Sequence, residues 1–402
     1  MIKVSVIGDI MVEPNFLKQV ENDGKYDFYP ALEPLKHIFT DSDYVIGNLE
    51  TPLAGEDAVY TNRIVSFNAP DSVAEAVKKI GVDVVSTANN HCLDRGFEGL
   101  ERTLDVLDGI GLSHTGTYKK GFTGDRNHYF EIDGTRFALI AYAHSTNYGI
   151  TPALPEGDTA VCVNNSRPLR GGRPTYLRLP ENYYTTLKYV EELAERKLLW
   201  EETILLRKAM GVSLVAIDDI VPPSEEIEEY ASKIENDYKV AKQKADIVFF
   251  YPHLGGQFNT RPGKYSEAFL KRCSKIGFDA ILAAHSHTTQ KAEYIDGMPC
   301  FYSMGNVTMS PCTFYQVPES LAEYGICAHL YVDGKKIQKV TVSIIKMVED
   351  ENTPLRVIPV DILCGVLERD EREKLVSEVS EVYTRVTGKK LPGGALLKEY
   401  DL

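Results

Sequence analysis

Short apolar runs rich in β-branched residues recur along the chain, and each ends in a small group of polar residues. Residues 3–7 end in Gly8-Asp9, and residues 44–46 end in Gly47-Asn48-Leu49-Glu50. Residues 82–85 lead to Asn89-Asn90-His91, and residues 137–142 lead to His144. Residues 247–251 give Pro252-His253, and residues 280–283 give His285-Ser286-His287. Phe301-Tyr302 gives Ser303-Met304-Gly305-Asn306. Runs this short and this continuous suit strands buried on both faces. Helical patterns separate several of them. Ser72-Val73-Ala74-Glu75 reads as a capping box that opens a helix, and Gly81 stops it. Leu100, Leu104 and Leu107 share one helical face, and residues 224–244 and 267–275 read as two further helices. Strand and helix in alternation imply an α/β fold with a largely parallel sheet and right-handed crossovers. In such sheets ligands bind beyond the carboxyl ends of the strands. The polar groups lie at those ends, so topology alone places a site there.

Two regions break the alternation. Residues from about 163 to about 223 read as a helical insertion. It begins with a Pro/Arg/Gly-rich stretch at 167–174, and helices follow near 184–198 and 201–209. After Phe314 the chain changes character: 329–332, an Asp333-Gly334 turn and 337–345 read as a β-hairpin. A helix near 368–386 follows. One domain over 1–315, carrying the insertion at about 163–223, is expected, with 316–402 completing or covering it.

A net charge of −14 over 402 residues leaves no bulk positive field for nucleic acid or an anionic membrane. A phosphate-bearing substrate is compatible with it, because bound metal ions reverse the potential locally. No run approaches the roughly 20 apolar residues that span a bilayer. The opening residues enter a strand pattern at once, with no apolar signal core. The seven cysteines are an odd number without CxxC pairs, which implies neither a disulfide framework nor a zinc ribbon. The expectation is a cytoplasmic protein with no nucleic-acid partner and no membrane span.

The polar groups combine imidazoles with hard oxygen donors. His285 and His287, two apart at a strand end, point the same way if the backbone is extended, and so can address one ion or an adjacent pair. Isolated, such a pair is as readily a surface feature. Asp9 after a glycine reads equally as a turn or cap residue, and Glu50 as a surface acid. Together with Asn90 and His253 they form a donor set that suits one or two divalent transition-metal ions, Mn, Fe or Zn, rather than calcium. Asn90 supplies a neutral oxygen where further carboxylates would over-neutralise the ions. His91 beside it can act as a general acid, and Asp94 three residues on can orient it or raise its pKa. The glycines after His253 permit close backbone approach to a ligand. Asn48, Asn89, His144, Asn147 and Asn306 are the expected lining of a substrate pocket, and Arg261 a candidate anion contact. His37, His114, His128 and His329 lack such context.

These residues resemble the bacterial capsule-synthesis, poly-γ-glutamate biosynthesis CapA-type family, distant relatives of calcineurin-like metallophosphoesterases. The resemblance rests on Gly8-Asp9-Ile10-Met11, Asn48-Leu49-Glu50, Phe67-Asn68-Ala69-Pro70 and Ala88-Asn89-Asn90-His91-Cys92-Leu93-Asp94-Arg95-Gly96. It continues through the His114-Thr115-Gly116 region, His253-Leu254-Gly255, His285-Ser286-His287 and Tyr302-Ser303-Met304-Gly305-Asn306, in the expected order. It implies a four-layer α-β-β-α sandwich with a binuclear centre at the strand ends. Asp9 and His287 would bind one ion, Asn90, His253 and His285 the other, and Glu50 would bridge. His91 would protonate a leaving group while a metal-activated water attacks phosphorus. Met11 stands where metallophosphoesterases usually have a histidine, Glu50 replaces their bridging Asp, and Ala284 replaces a Gly. The Met11 side is therefore expected to be the weaker ion site.

Two functions follow from the resemblance. One is a metal-dependent hydrolase of a phosphoester or related small anionic substrate. The other is a non-catalytic, metal-containing component of capsule or poly-γ-glutamate biosynthesis that binds an anionic polymer or glycan. The negative net charge and the absence of an apolar anchor favour the first.

Overall fold

The computed structural model describes residues 1–402 except 64–65, 148–162, 165–178, 314–316, 350–353 and 394. The Pro/Arg/Gly-rich stretch at 167–174 and the expected boundary at 315 lie outside the described residues.

The fold is mixed α/β, with two large sheets and one small hairpin. In the first sheet the strand Ile2–Ile10 is central. It runs parallel to Tyr44–Leu49 and to the short strand Asn306–Thr308, and antiparallel to Tyr324–Asp333. Val84–Ser86 and Ser113–Thr115 extend the parallel side. Lys336–Val348 and Arg356–Pro359 extend the antiparallel side, so the hairpin read from Asp333-Gly334 joins the sheet next to the first strand. The second sheet runs in the order Ala292–Ile295, Met298–Phe301, Ala280–Leu282, Ile247–His253, Thr135–Ala143, His128–Ile132. Its four inner strands are parallel and its two outer ones antiparallel. The largely parallel pairing expected is confined to part of each sheet, and antiparallel strands complete both.

Alternate residues of each strand enter different apolar clusters, as the two-residue period of a strand requires. Val4, Val6, Ile46, Phe137, Leu139, Ile247 and Phe249 lie in one cluster shared by both sheets. Ile7, Val45 and Val85 lie in a second with Phe16 and Val73, which come from helices Pro14–Val20 and Ser72–Lys79. Ala138, Ile140, Val248 and Phe250 lie in a third with Ile234 and Phe269, from helices Ser224–Lys244 and Lys264–Ser274. Burial on both faces accounts for the unbroken apolar runs.

Helix starts depart further from the sequence reading than strands do. Asp71, not Ser72, precedes the helix Ser72–Lys79, and no side chain caps it. The capping box does not form because Asp71 already has helical backbone angles and Ser72 lies inside the helix, where a hydroxyl cannot reach back to a free N–H. Gly81, at φ 107°, ends that turn as expected. The insertion contributes helices Glu181–Leu193 and Trp200–Ala209, and Arg369–Thr387 closes the C-terminal part. Among the described residues no helix is long and apolar enough to cross a membrane.

Two close approaches involve the first strand. A Cβ on Gly8 would lie 1.9 Å from the Gly305 carbonyl oxygen, so only glycine lets the first strand sit against the 303–306 segment. Midway along the first strand, opposite Ser5, His329 is fully buried between two serines, Ser5 Oγ at 2.7 Å from Nδ1 and Ser343 Oγ at 2.8 Å from Nε2. Burial pushes this imidazole down to about 3 from an ordinary 6.5. The unfolded chain therefore binds a proton in that window that the folded chain refuses. The His329 contribution is complete above pH 6.5 and is lost progressively as pH falls toward 3. We expect the wild type to lose about 2 kcal/mol more stability than His329→Gln between pH 7.5 and 5. Urea unfolding at the two pH values checks this, and parallel losses in the two proteins would contradict it.

Candidate metal centre

Two carboxylates and three imidazoles meet where the two sheets bring their strand ends together. Asp9, Glu50 and His253 are completely buried, and His285 and His287 nearly so. Asp9 is held from both sides: Asn48 Nδ2 donates to its Oδ1 at 2.8 Å and the His285 amide to its Oδ2 at 3.0 Å. Glu50 is different. Neither of its carboxylate oxygens meets a hydrogen-bond donor. Three atoms of metal-ligand type crowd His253 Nε2: Asn90 Oδ1 at 2.8 Å, His285 Nδ1 at 3.0 Å and Glu50 Oε1 at 3.2 Å. Two ligand atoms each about 2.1 Å from one ion and at right angles to it lie about 3 Å apart, so this spacing suits a shared cation.

Glu50, His253 and His285 form one candidate metal-holding group, and Asp9, Glu50 and His287 form another. Glu50 belongs to both. The second group is looser, with His287 Nδ1 3.8 Å from Asp9 Oδ2 and His287 Nε2 4.0 Å from Glu50 Oε1. Met11 is buried there, its backbone N–H and carbonyl both bonded to the Thr308 hydroxyl.

Electrostatics test whether a cation fits. Burial, with Glu50 adding to it, pushes Asp9 up to about 7. Burial pushes Glu50 up to about 8, against the pull of His91. The same desolvation lowers His253 to about 4, His287 to about 3, and His285 well below its ordinary value. The protein alone therefore offers imidazole nitrogens free of protons and two acids whose ionised form lacks a counter-charge. A divalent ion satisfies both conditions, and the residues present fit it.

The histidine pair reaches the centre by a route that differs from the extended one expected. The strand ends at Leu282, and His285 and His287 have φ of 101° and 53°. Left-handed turns, not strand alternation, aim both rings inward. Asn306 grips His287 at two points. Its Nδ2 donates to the carbonyls of His287 and Ala322, which leaves its Oδ1 to face His287 Nδ1 at 3.0 Å. His287 Nδ1 therefore carries the proton and Nε2 the free lone pair.

The expected substrate lining divides into two sets. Asn48, Asn89 and Asn306 are buried and committed to the protein: Asn89 Nδ2 donates to Asn48 Oδ1 and the Leu49 carbonyl. Asn48 in turn bonds Asp9 and Asn306 faces His287, so these two position candidate ligands. Asn147 stands beside His91, its Nδ2 3.0 Å from Nδ1, and its Oδ1 accepts from Asn90 Nδ2. The His144 ring meets His285 edge to face at 4.6 Å. Arg261 pairs with Asp219 at 3.0 Å on the surface.

His91 forms a separate dyad. Its Nδ1 lies 2.6 Å from Asp94 Oδ2, which also accepts the Phe67 amide at 2.7 Å. Burial opposes a charge on this ring, but Asp94, with Glu50 and Asp9 adding to it, holds the imidazole above its ordinary value. The Phe67 ring stacks on His91 at 4.1 Å. Residue type alone carried no sign of that role. The glycines after His253 serve a different neighbour from the expected ligand, since a Cβ on Gly256 would lie 1.9 Å from the Ala216 carbonyl oxygen.

Residues 3–310 match the family described as bacterial capsule synthesis protein PGA_cap. The chain belongs to this family. It is 21% identical to the PGA biosynthesis protein CapA of Bacillus subtilis, over 76% of this chain and 63% of that protein, less than two thirds of its length. It is 22% identical to the capsule biosynthesis protein CapA of Bacillus anthracis, over 92% of this chain and 76% of that one. A hypothetical protein of Thermus thermophilus, 14% identical, superimposes with a TM-score of 0.43 over 86% of this chain and 99% of its own.

The uncompensated Glu50 gives a test of the centre itself. Burial raises Glu50 to about 8, so in chelator-treated protein at pH 7 folding makes it take up a proton, and Glu50→Gln relieves that cost of roughly 1–3 kcal/mol. With Mn²⁺ present the same substitution removes a shared ligand. We expect its melting temperature to lie above wild type in chelator and below it in Mn²⁺. The same order in both conditions would contradict a cation at Glu50.

Proposed function

We propose that this PGA_cap family member is a metal-dependent hydrolase of a phosphoester or related anionic substrate. The observation that carries the reading is the pair of carboxylate–imidazole groups sharing Glu50, with the His91–Asp94 dyad beside them. In this reading Asp9 and His287 hold one ion, Asn90, His253 and His285 hold the other, and Glu50 bridges. Mn, Fe and Zn all match these donors. Such ions, when bound, polarise a phosphoryl oxygen and make water a nucleophile near neutral pH. The chain's own part is to position and to move a proton. Asn48 and Asn306 orient Asp9 and His287, and Asp94 holds His91 protonated so that its Nε2 can donate to a leaving oxygen.

The same reading takes the architecture as four layers: helices, sheet, sheet, helices. Three apolar clusters, one shared by both sheets and two held with helices, support it. It takes 1–315 as one domain with an insertion near 163–223, completed by 316–402. The pairing of Tyr324–Asp333 with the first strand supports that division. A cytoplasmic setting belongs to it as well, supported by the free state of all six described cysteines.

A second reading has its own support. Both Bacillus relatives are named for biosynthesis of capsule or PGA. On that view the centre is structural and the chain binds an anionic polymer within an assembly.

Elemental analysis of protein grown with Mn, Fe and Zn, beside a His285→Ala, His287→Ala variant, decides the first point. We expect about two ions per chain, lost in the variant. We further expect turnover of aryl and alkyl phosphoesters, with His91→Ala lowering kcat roughly 10²–10⁴-fold on alkyl esters and less on p-nitrophenyl esters. Bound metal without turnover of any ester would favour the polymer-binding reading. Metal-free protein under every supplement would sink the hydrolase.

A further inference from the structure

Phe258 has a backbone that an aromatic residue rarely adopts, with φ at 57°. That conformation is unfavourable for a residue with a Cβ, so its surroundings must impose it. Its N–H donates to the Ser286 carbonyl at 2.8 Å, the residue between the two histidines. Its ring lies 5.8 Å from the His287 ring at 40°, and the residue is 4% exposed. His285 and His287 are themselves left-handed and lie outside any strand. Bridges pair Ala284 with His253 and Thr289 with Met304 on either side, but residues 285–288 between them pair with no strand.

What holds Phe258 comes from the far end of the insertion. Ala216 and Gln257 exchange both backbone hydrogen bonds, at 2.8 and 2.7 Å, directly before Phe258. Asp218 then caps the helix Lys264–Ser274. Its Oδ2 accepts from the Ser266 amide at 3.1 Å and hydroxyl at 2.7 Å, and its carbonyl from the Tyr265 amide at 2.9 Å. Asp219 pairs with Arg261. Leu214 and Val215 pack against the apolar cluster that contains both Ile204 and Phe258. Gly256 and Gly263 make room for this contact: a Cβ on either would lie within 1.9 and 2.0 Å of Ala216 O and Asp218 Oδ1.

We propose that the strap 213–219 fastens the 255–263 loop so that Phe258 acts as a positioning residue for His287. The occupancy of the Asp9, Glu50, His287 group would then depend on the insertion, while that of the Glu50, His253, His285 group would not. The inference rests on the metal-centre reading above.

Mn²⁺ titration of the full chain by calorimetry is the test, with Phe258→Gly, which keeps the left-handed backbone and removes the ring, and Phe258→Tyr, which keeps the ring. Phe258→Gly should weaken one of two ions roughly 10–100-fold and spare the other, and Phe258→Tyr should match wild type. Hydrogen exchange in Asp218→Ala is the second measurement. Amides at 285–289 should exchange faster there than in wild type, whether one ion or two are bound. Equal affinities in Phe258→Gly, with unchanged exchange in Asp218→Ala, would overturn the strap and leave the metal centre standing. Equal weakening of both ions would reduce Phe258 to general packing and overturn it also. A wild type that takes up no Mn²⁺ would overturn both readings together.

Discussion

Two carboxylates share one dry point between the ends of two sheets, and most of the surrounding chemistry answers to that fact. Asp9 has two donors, whereas Glu50 has none. Placing a second ionised acid there is costly unless a positive charge arrives. The neighbours are consistent with that condition. They are imidazoles driven to the neutral form and asparagines that add dipoles without adding charge. Had Asn48, Asn89 and Asn90 been acids, the centre would hold up to five carboxylates and could not exist without several ions.

Much of this was readable in the chain. Unbroken apolar runs between helical patterns fixed the positions of Ile2–Ile10, Tyr44–Leu49, Thr135–Ala143 and Ile247–His253 to within three residues. The turn at Asp333-Gly334 marked a real hairpin. The acids and histidines at the run ends did converge, because parallel strands deliver their carboxyl ends to one side. What escaped depends on backbone angles and on tertiary partners. Nothing in His285-Ser286-His287 announces left-handed turns at both histidines, and the pattern suggested an extended pair. Gly255-Gly256 signalled a close approach without saying whose. Asn306 and Asn48 looked like pocket lining because a buried amide that orients a ligand is chemically the same residue as one that touches substrate. Phe67 stood in a quoted motif that gave no sign of its stacking on His91, and Phe258 has no mark that separates it from ordinary core.

Segments away from the ligand motifs give the centre much of its enclosure. The strand Tyr324–Asp333 pairs with the strand that carries Asp9, and Ala322 accepts a hydrogen bond from the asparagine that orients His287. The end of the insertion grips the loop beside His287. The candidate ligands and the asparagines that orient Asp9 and His287 come from recognisable motifs, while part of what holds those motifs comes from segments with none. A family likeness therefore identifies donors more readily than it identifies how firmly each is held.

The central position of Ile2–Ile10 also has a consequence for how the chain is made. Its parallel neighbour Tyr44–Leu49 is made soon after it, yet its other neighbours, Asn306–Thr308 and Tyr324–Asp333, are made more than 250 residues later. Until those are synthesised, one edge of the Asp9 strand is bare, with its amides and carbonyls open to any other strand. At about 5–20 residues per second that interval lasts tens of seconds. The nascent chain carries Asp9 on an unprotected edge while everything between those neighbours is made, and so has reason to engage a chaperone during that interval.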